Sequence, residues 1–208
     1  MVQWLTNLRR NLLVPALMVA LAGSGGALQG CSVNPATGQQ SFTGFMSPDQ
    51  ERQIGAEEHP KMVKAFGGKY KDAALTNYLN GLGGLLQSTS EQPKPPFTFT
   101  LLDSPVINAF ALPGGYVYIS RGLMALANDE AELAGVVAHE IGHVTARHSA
   151  QRMSRGILAN LGAAVLGVAV GEPLLGNAAR VAAGAYIQGF SRDQEFEADQ
   201  LGVRYLTR

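Results

Sequence analysis

Apolar and polar positions recur along this chain with different periods, and the period predicts the element. Ser47-Pro48-Asp49-Gln50-Glu51 has a capping serine followed by proline at the first helical position, which predicts a helix running to about Phe66, where Gly67-Gly68 ends it. Over residues 71–88, Ala73, Leu75, Tyr78, Leu79, Leu82, Leu85 and Leu86 fall mostly at helical spacing, predicting a second helix. Residues 91–96 hold three prolines and read as a linker. The run Phe97-Thr98-Phe99-Thr100-Leu101-Leu102 alternates as a strand does. Ile107 to Leu112, then Pro113-Gly114-Gly115, then Tyr116 to Ser120 predicts a hairpin. Asp129 with Glu132 three residues later fits a capping box, and the segment behind it is rich in helix formers, predicting a helix over roughly 129–148. Residues 156–189 are apolar and rich in Gly and Ala, broken at Glu172-Pro173. The longest uncharged run there, 156–171, is short for a ~30 Å hydrocarbon core, so a pair of packed helices or a cover over a cleft is expected, with a membrane-surface role as the alternative.

The first thirty residues follow a different rule. Arg9 and Arg10 precede an uncharged, mostly apolar stretch from Asn11 to Leu28, the pattern of a secretory signal rather than of folded structure. The stretch ends in Leu28-Gln29-Gly30-Cys31, and Cys31 is the only cysteine. This placement resembles a lipobox, in which the cysteine is acylated after cleavage; the alternative is an ordinary signal with an incidental cysteine. Gln29 departs from the usual small residue. Residues 1–30 are therefore read as a lipoprotein-type signal peptide, 31–47 as a polar tether, and 48–208 as the functional domain. With one cysteine no internal disulfide can form.

Sixteen basic residues balance sixteen acidic ones among 208, so nothing favours nucleic acid. Removing residues 1–30 takes two Arg and no acid, leaving 14 basic against 16 acidic.

The chemistry is concentrated in two short motifs 56 residues apart: His139-Glu140-Ile141-Gly142-His143 and Glu195-Phe196-Glu197-Ala198-Asp199. On a helix, His139 and His143 lie on one face about a turn apart, so both imidazoles can reach one small cation at ~2.0–2.1 Å. Glu140 then sits where it can take a proton from the attacking water. The chain has only four His, and three of them fall within ten residues. A catalytic zinc takes three protein ligands and keeps one position open. In the second motif Glu195 and Asp199 share a face, while Glu197 points elsewhere. One of the pair can be the ligand and the other can hold a ligand His by its far ring nitrogen, and spacing does not say which. Gly142 in mid-helix predicts a close neighbour, either a strand holding substrate or another helix. His148, five residues past His143, is expected to face away from the metal as a helix C-terminal histidine. His59 is expected at the surface.

The run His-Glu-Ile-Gly-His-Val-Thr-Ala-Arg-His followed by Glu-Phe-Glu-Ala-Asp resembles the HtpX / CAAX-prenyl-protease family of zinc metallopeptidases, in particular its soluble bacterial branch of BepA-type and LoiP-type periplasmic proteases. Asn108 to Tyr118 and Ser120-Arg121-Gly122-Leu123 match that family's pattern upstream, and the likeness covers about residues 45–208. It implies an α+β fold: a mainly helical, gluzincin-like zincin domain with a small β-sheet and hairpin lining the cleft. It implies one Zn2+ per chain on His139, His143 and Glu195, with Glu140 as general base and Asp199 supporting a ligand from outside the metal. It also implies a strand at Asn108, Ala109, Phe110 and Ala111 that holds an extended peptide. Arg192 and Tyr186 are candidates for stabilising the oxyanion. Relatives continue well beyond Arg208, so either the chain is a fragment or the family's C-terminal part is absent.

The expected function is that of a zinc metalloendopeptidase acting on misfolded or misassembled cell-envelope proteins. Its expected location is the bacterial periplasm, anchored by lipid on Cys31 to the inner face of the outer membrane; that membrane is inferred by analogy from Ser32, which is not Asp. The alternative is a chaperone-like factor that binds unfolded chains and cuts rarely. A structural zinc site fits poorly, because three ligands leave the fourth position open. The sequence does not give an oligomeric state.

Overall fold

The computed structural model describes residues 31–94, 96–170 and 189–208. The elements in order are β1 (Cys31–Val33), β2 (Gln40–Phe42), α1 (Pro48–Ala65), α2 (Ala73–Ser88), β3 (Thr98–Leu102), β4 (Ala109–Leu112), β5 (Tyr116–Ser120), α3 (Arg121–Leu126), α4 (Glu130–Thr145), α5 (His148–Val170) and α6 (Arg192–Leu206). The fold is mainly helical α+β, as expected.

Local chemistry starts the helices, α1 and α4 at the caps the sequence predicts. Ser47 and Gln50 form a reciprocal capping box at α1, Asp72 caps α2, Asp129 caps α4, and Ser191 with Gln194 forms a second capping box at α6. Each cap satisfies amide donors that a helix cannot pair internally.

Three strands form a mixed sheet in the order β3-β5-β4. β5 runs parallel to β3 and antiparallel to β4, with Phe110 opposite Tyr118 and Ala109 opposite Ile119. Alternation sends Phe99, Leu101, Val117 and Ile119 to one face, where they join Leu79, Leu82 and Leu86 of α2 and Leu133, Val137 and Ile141 of α4 in one core. The opposite face carries Tyr118, stacked on Phe110 at 4.7 Å, with α1 laid over it. His59 of α1 is not a free surface group: its Nδ1 lies 2.7 Å from the Tyr118 hydroxyl. Sequence spacing gives no sign of this pair, because 59 residues separate its members.

Two further expectations are corrected. The segment 31–47 is not a loose tether. β1 pairs antiparallel with β2, and Asn34, Ala36, Thr43 and Met46 are buried against the body. Its polar composition hides this: Asn34 is buried and donates to Glu197 at 2.8 Å, a partner 163 residues away. The helix that carries the first motif also ends earlier than 148. Arg147 adopts φ 58°, in the left-handed region, and breaks the helix after Thr145. Its guanidinium holds this bend: Nε donates to Glu51 at 2.6 Å and Nη2 to the Met46 carbonyl at 2.7 Å. His148 therefore opens α5 rather than closing α4.

Within the apolar region, α5 extends to Val170; residues 171–188, and with them the rest of the expected helix pair or cover, lie outside the described residues. Among the described residues no helix is long and apolar enough to cross a membrane.

Candidate metal centre

Helices α4 and α6 build the site by lying against each other at two glycines. A Cβ on Gly142 would stand 2.9 Å from the Ala198 carbonyl oxygen and 3.1 Å from its Cα. A Cβ on Gly202 would stand 3.2 Å from the His139 amide nitrogen. Of the two readings of Gly142, close helix packing is the observed one. That approach brings the two motifs together.

His139 Nε2 and His143 Nε2 are 2.9 Å apart. The Glu195 carboxylate reaches the same point, with Oε2 3.4 Å from His139 Nε2 and 3.8 Å from His143 Nε2. A tetrahedral ion with bonds of ~2.0–2.1 Å holds its ligand atoms roughly 3.4 Å apart, and the three observed separations bracket that figure. The far ring nitrogens are engaged as well. His139 Nδ1 lies 2.8 Å from Asp199 Oδ1 and His143 Nδ1 lies 2.8 Å from His148 Nδ1. A carboxylate only accepts, so His139 carries its proton on Nδ1 and turns a lone pair on Nε2 toward the centre. Acceptor atoms converging this closely repel one another unless a cation lies among them, and two imidazoles with a carboxylate suit zinc. The donor set therefore fits a zinc ion.

Burial sets the protonation of the site. His143, only 4% exposed, has its pKa pushed down to about 3, chiefly by desolvation and then by His148, His139 and Arg152. It stays neutral and can offer its lone pair at any ordinary pH. Glu140 is buried too, and desolvation raises its pKa to about 7, with His139 opposing and Glu195 adding to the rise. A carboxyl near pH 7 is poised both to take and to return a proton.

The other sequence candidates are dispersed. Asp199 sits behind His139, away from the convergence point, and is itself largely exposed. Arg192 lies exposed in the first turn of α6. Tyr186 lies outside the described residues. Asn108 and Ser120 are tied by two hydrogen bonds, from the Ser120 amide to the Asn108 carbonyl at 3.0 Å and from the Asn108 amide to the Ser120 hydroxyl at 3.1 Å. Ala109 and Ala111 pack on the core, Phe110 turns to the other face, and β4 lies at one edge of the sheet. Cys31 begins β1.

Sequence reasoning missed four participants. His148 is fully buried against the back of His143, and its Nε2 lies 3.1 Å from Glu197 Oε2. Glu197 is thus turned to a histidine that the helical projection of α4 alone would place elsewhere. Phe190 stacks on the His143 ring at 4.1 Å, and Arg152 lies 4.6 Å over Phe190. The third histidine of the cluster was the available signal; nothing in the sequence points to Phe190.

The chain is 32% identical over 216 residues to a beta-barrel assembly-enhancing protease of Yersinia pestis, covering 98% of this chain and 43% of that protein. It is 35% identical over 175 residues to the protein of that name from Escherichia coli K12, covering 78% of this chain and 35% of that one. A mitochondrial metalloendopeptidase OMA1 of Arabidopsis thaliana is 34% identical over 107 residues, 51% of this chain and 21% of its own length. The chain thus spans less than half the length of these relatives. Residues 74–208, which carry α2 to α6 and both short motifs, match Peptidase family M48, and the chain belongs to that family.

Proposed function

We propose that this chain is a zinc-dependent metalloendopeptidase in which His139, His143 and Glu195 hold the ion and Glu140 is the general base. The observation that carries the reading is the convergence of those three ligand atoms beside a buried carboxyl whose pKa is about 7. Bound there, zinc supplies Lewis-acid polarisation of the scissile carbonyl and acidifies the attacking water. Glu140 takes the proton from that water and returns it to the leaving amine. Asp199 holds His139 in the tautomer that binds metal. The edge strand β4, with Asn108, Ala109, Phe110 and Ala111, receives substrate as an added strand through backbone hydrogen bonds, which tolerates many sequences. Arg192 and Tyr186 are the candidates for the oxyanion.

The substrates proposed are misfolded or misassembled envelope polypeptides; the names of the Yersinia and Escherichia relatives support that class. Residues 1–30 export the chain to the bacterial periplasm, and acylated Cys31 anchors it to the inner face of the outer membrane. The test is cleavage of unfolded casein by zinc-loaded protein beside Glu140→Gln. Cutting by the parent alone, with one zinc bound by each, is the expected result. Zinc bound by both with cutting by neither would sink the protease reading and leave the chaperone-like one.

A further inference from the structure

We propose that Asn34, Glu197 and His148 form a hydrogen-bonded relay that positions His143 and fixes it in its metal-binding tautomer, so that the N-terminal strand pair controls the metal affinity of the centre. The proposal rests on the reading of His139, His143 and Glu195 as the metal ligands.

The relay runs through four side chains from four different elements or connections. Asn34 lies just after β1, His143 in α4, His148 at the start of α5 and Glu197 in α6. Each link has one chemical direction. Asn34 Oδ1 accepts from the Ala36 amide at 2.9 Å, so its amide nitrogen must face the other way, and Nδ2 donates to Glu197 Oε1 at 2.8 Å. Glu197 Oε2, an acceptor only, receives the Nε2 proton of His148 at 3.1 Å. A neutral imidazole carries one N–H, so His148 Nδ1 is left as an acceptor. It faces His143 Nδ1 at 2.8 Å and takes that ring's proton in a hydrogen bond. His143 Nε2 is thereby left with its lone pair aimed at His139 Nε2 and Glu195.

Reversing any link reverses the outcome. If His148 carried its proton on Nδ1, His143 would have to accept there and carry its own proton on Nε2. That proton would occupy the metal's place. Glu197 prevents this, and Asn34 holds Glu197. Burial makes the choice binding: Asn34 is 2% exposed and His148 0%, so water cannot stand in for a missing partner. His139 reaches the same tautomer by the shorter route through Asp199, which is two-thirds exposed. The two ligand histidines are thus set by independent devices. Only the one at His143 passes through the N-terminal segment, three residues from Cys31.

The test uses the full chain in detergent, with Zn2+ and Co2+ as probes. Chelator competition reads metal affinity, Co2+ absorption reads ligand geometry, and long-range 1H–15N spectra of the metal-free protein read each histidine's tautomer. Glu197→Ala is expected to weaken Zn2+ binding about 10–100-fold, the usual range for loss of a group that orients a ligand histidine. It should also convert His143 from the Nδ1–H form to a mixture, with His139 unchanged. Asn34→Ala should shift both readouts the same way by a smaller factor. The double variant should be no worse than Glu197→Ala, because both act on one chain of bonds. Glu197→Gln keeps the shape but offers one acceptor to two donors, Asn34 Nδ2 and His148 Nε2, so it should fold like the parent yet still lose zinc affinity, which also guards against a variant that merely fails to fold. Zinc affinity within about twofold of the parent in Glu197→Ala and Asn34→Ala, with the His143 tautomer unchanged, would overturn the relay. If Glu195→Ala binds zinc as tightly as the parent, the metal-site reading itself is wrong and the relay goes with it.

Discussion

Replacing Glu140 by Gln should stabilise the metal-free protein at neutral pH, even though it removes the general base. The carboxyl is buried, and burial raises its pKa from 4.5 to about 7. The folded state therefore binds this proton more tightly than the unfolded chain does. Its contribution to stability is fully present below pH ~4.5 and is lost as the pH rises through ~7. A difference of this size corresponds to roughly 3 kcal/mol once the group is ionised in both states. Gln has nearly the same shape as the protonated acid and carries no charge to desolvate. Urea unfolding of parent and Glu140→Gln, run in chelator from pH 4 to pH 8, should show near-equal stability at the acid end. The variant should lead by about 3 kcal/mol at pH 8. Zinc should narrow that lead, because a nearby cation favours the carboxylate. Two stability curves that run parallel from pH 4 to pH 8 would refute the argument that burial raises this group.

Other outcomes follow from the same structure. Gly142→Ala places a methyl against the Ala198 backbone, which cannot swing aside, so it should cost about 1–3 kcal/mol in thermal unfolding and weaken zinc binding. Gly135→Ala in the same helix meets nothing within 4 Å and should stabilise by up to about 1 kcal/mol with zinc binding unchanged. Arg147→Ala leaves Glu51 buried without its partner and should cost about 3–5 kcal/mol by denaturant titration. His143 has a folded pKa of about 3 against an ordinary 6.5, so it supports stability above pH 6.5 that is lost as the pH falls toward 3. Unfolding monitored by circular dichroism in chelator should show that acid loss, and His143→Gln should flatten it.

Much of the site was legible because its parts are local. The spacing of His139 and His143 needs only a helix, and Asp129 with Glu132 announces that helix. The cap at Ser47, the alternation in β3 and the Pro113-Gly114-Gly115 turn are likewise decided by neighbours in sequence. Glu195 and Asp199 could be paired by their shared face, although geometry alone left their roles open. What stayed hidden depends on contacts between distant segments. The role of Gly142 depended on where Ala198 lies. The helix break at Arg147 depended on Glu51, 96 residues away, and that break is what turns His148 back onto His143. Glu197, which helical projection turns away from Glu195 and Asp199, found its partner only because α5 starts where α4 stops.

The sequence by itself determined the ligand types, their spacing and the helices that carry them, since backbone periodicity and capping act over a few residues. The tertiary structure alone decided which carboxylate meets which imidazole, which protons the buried groups keep, and that the polar segment 31–47 belongs to the folded body. Those are matters of desolvation and of direction between segments far apart in the chain, and no local pattern encodes them.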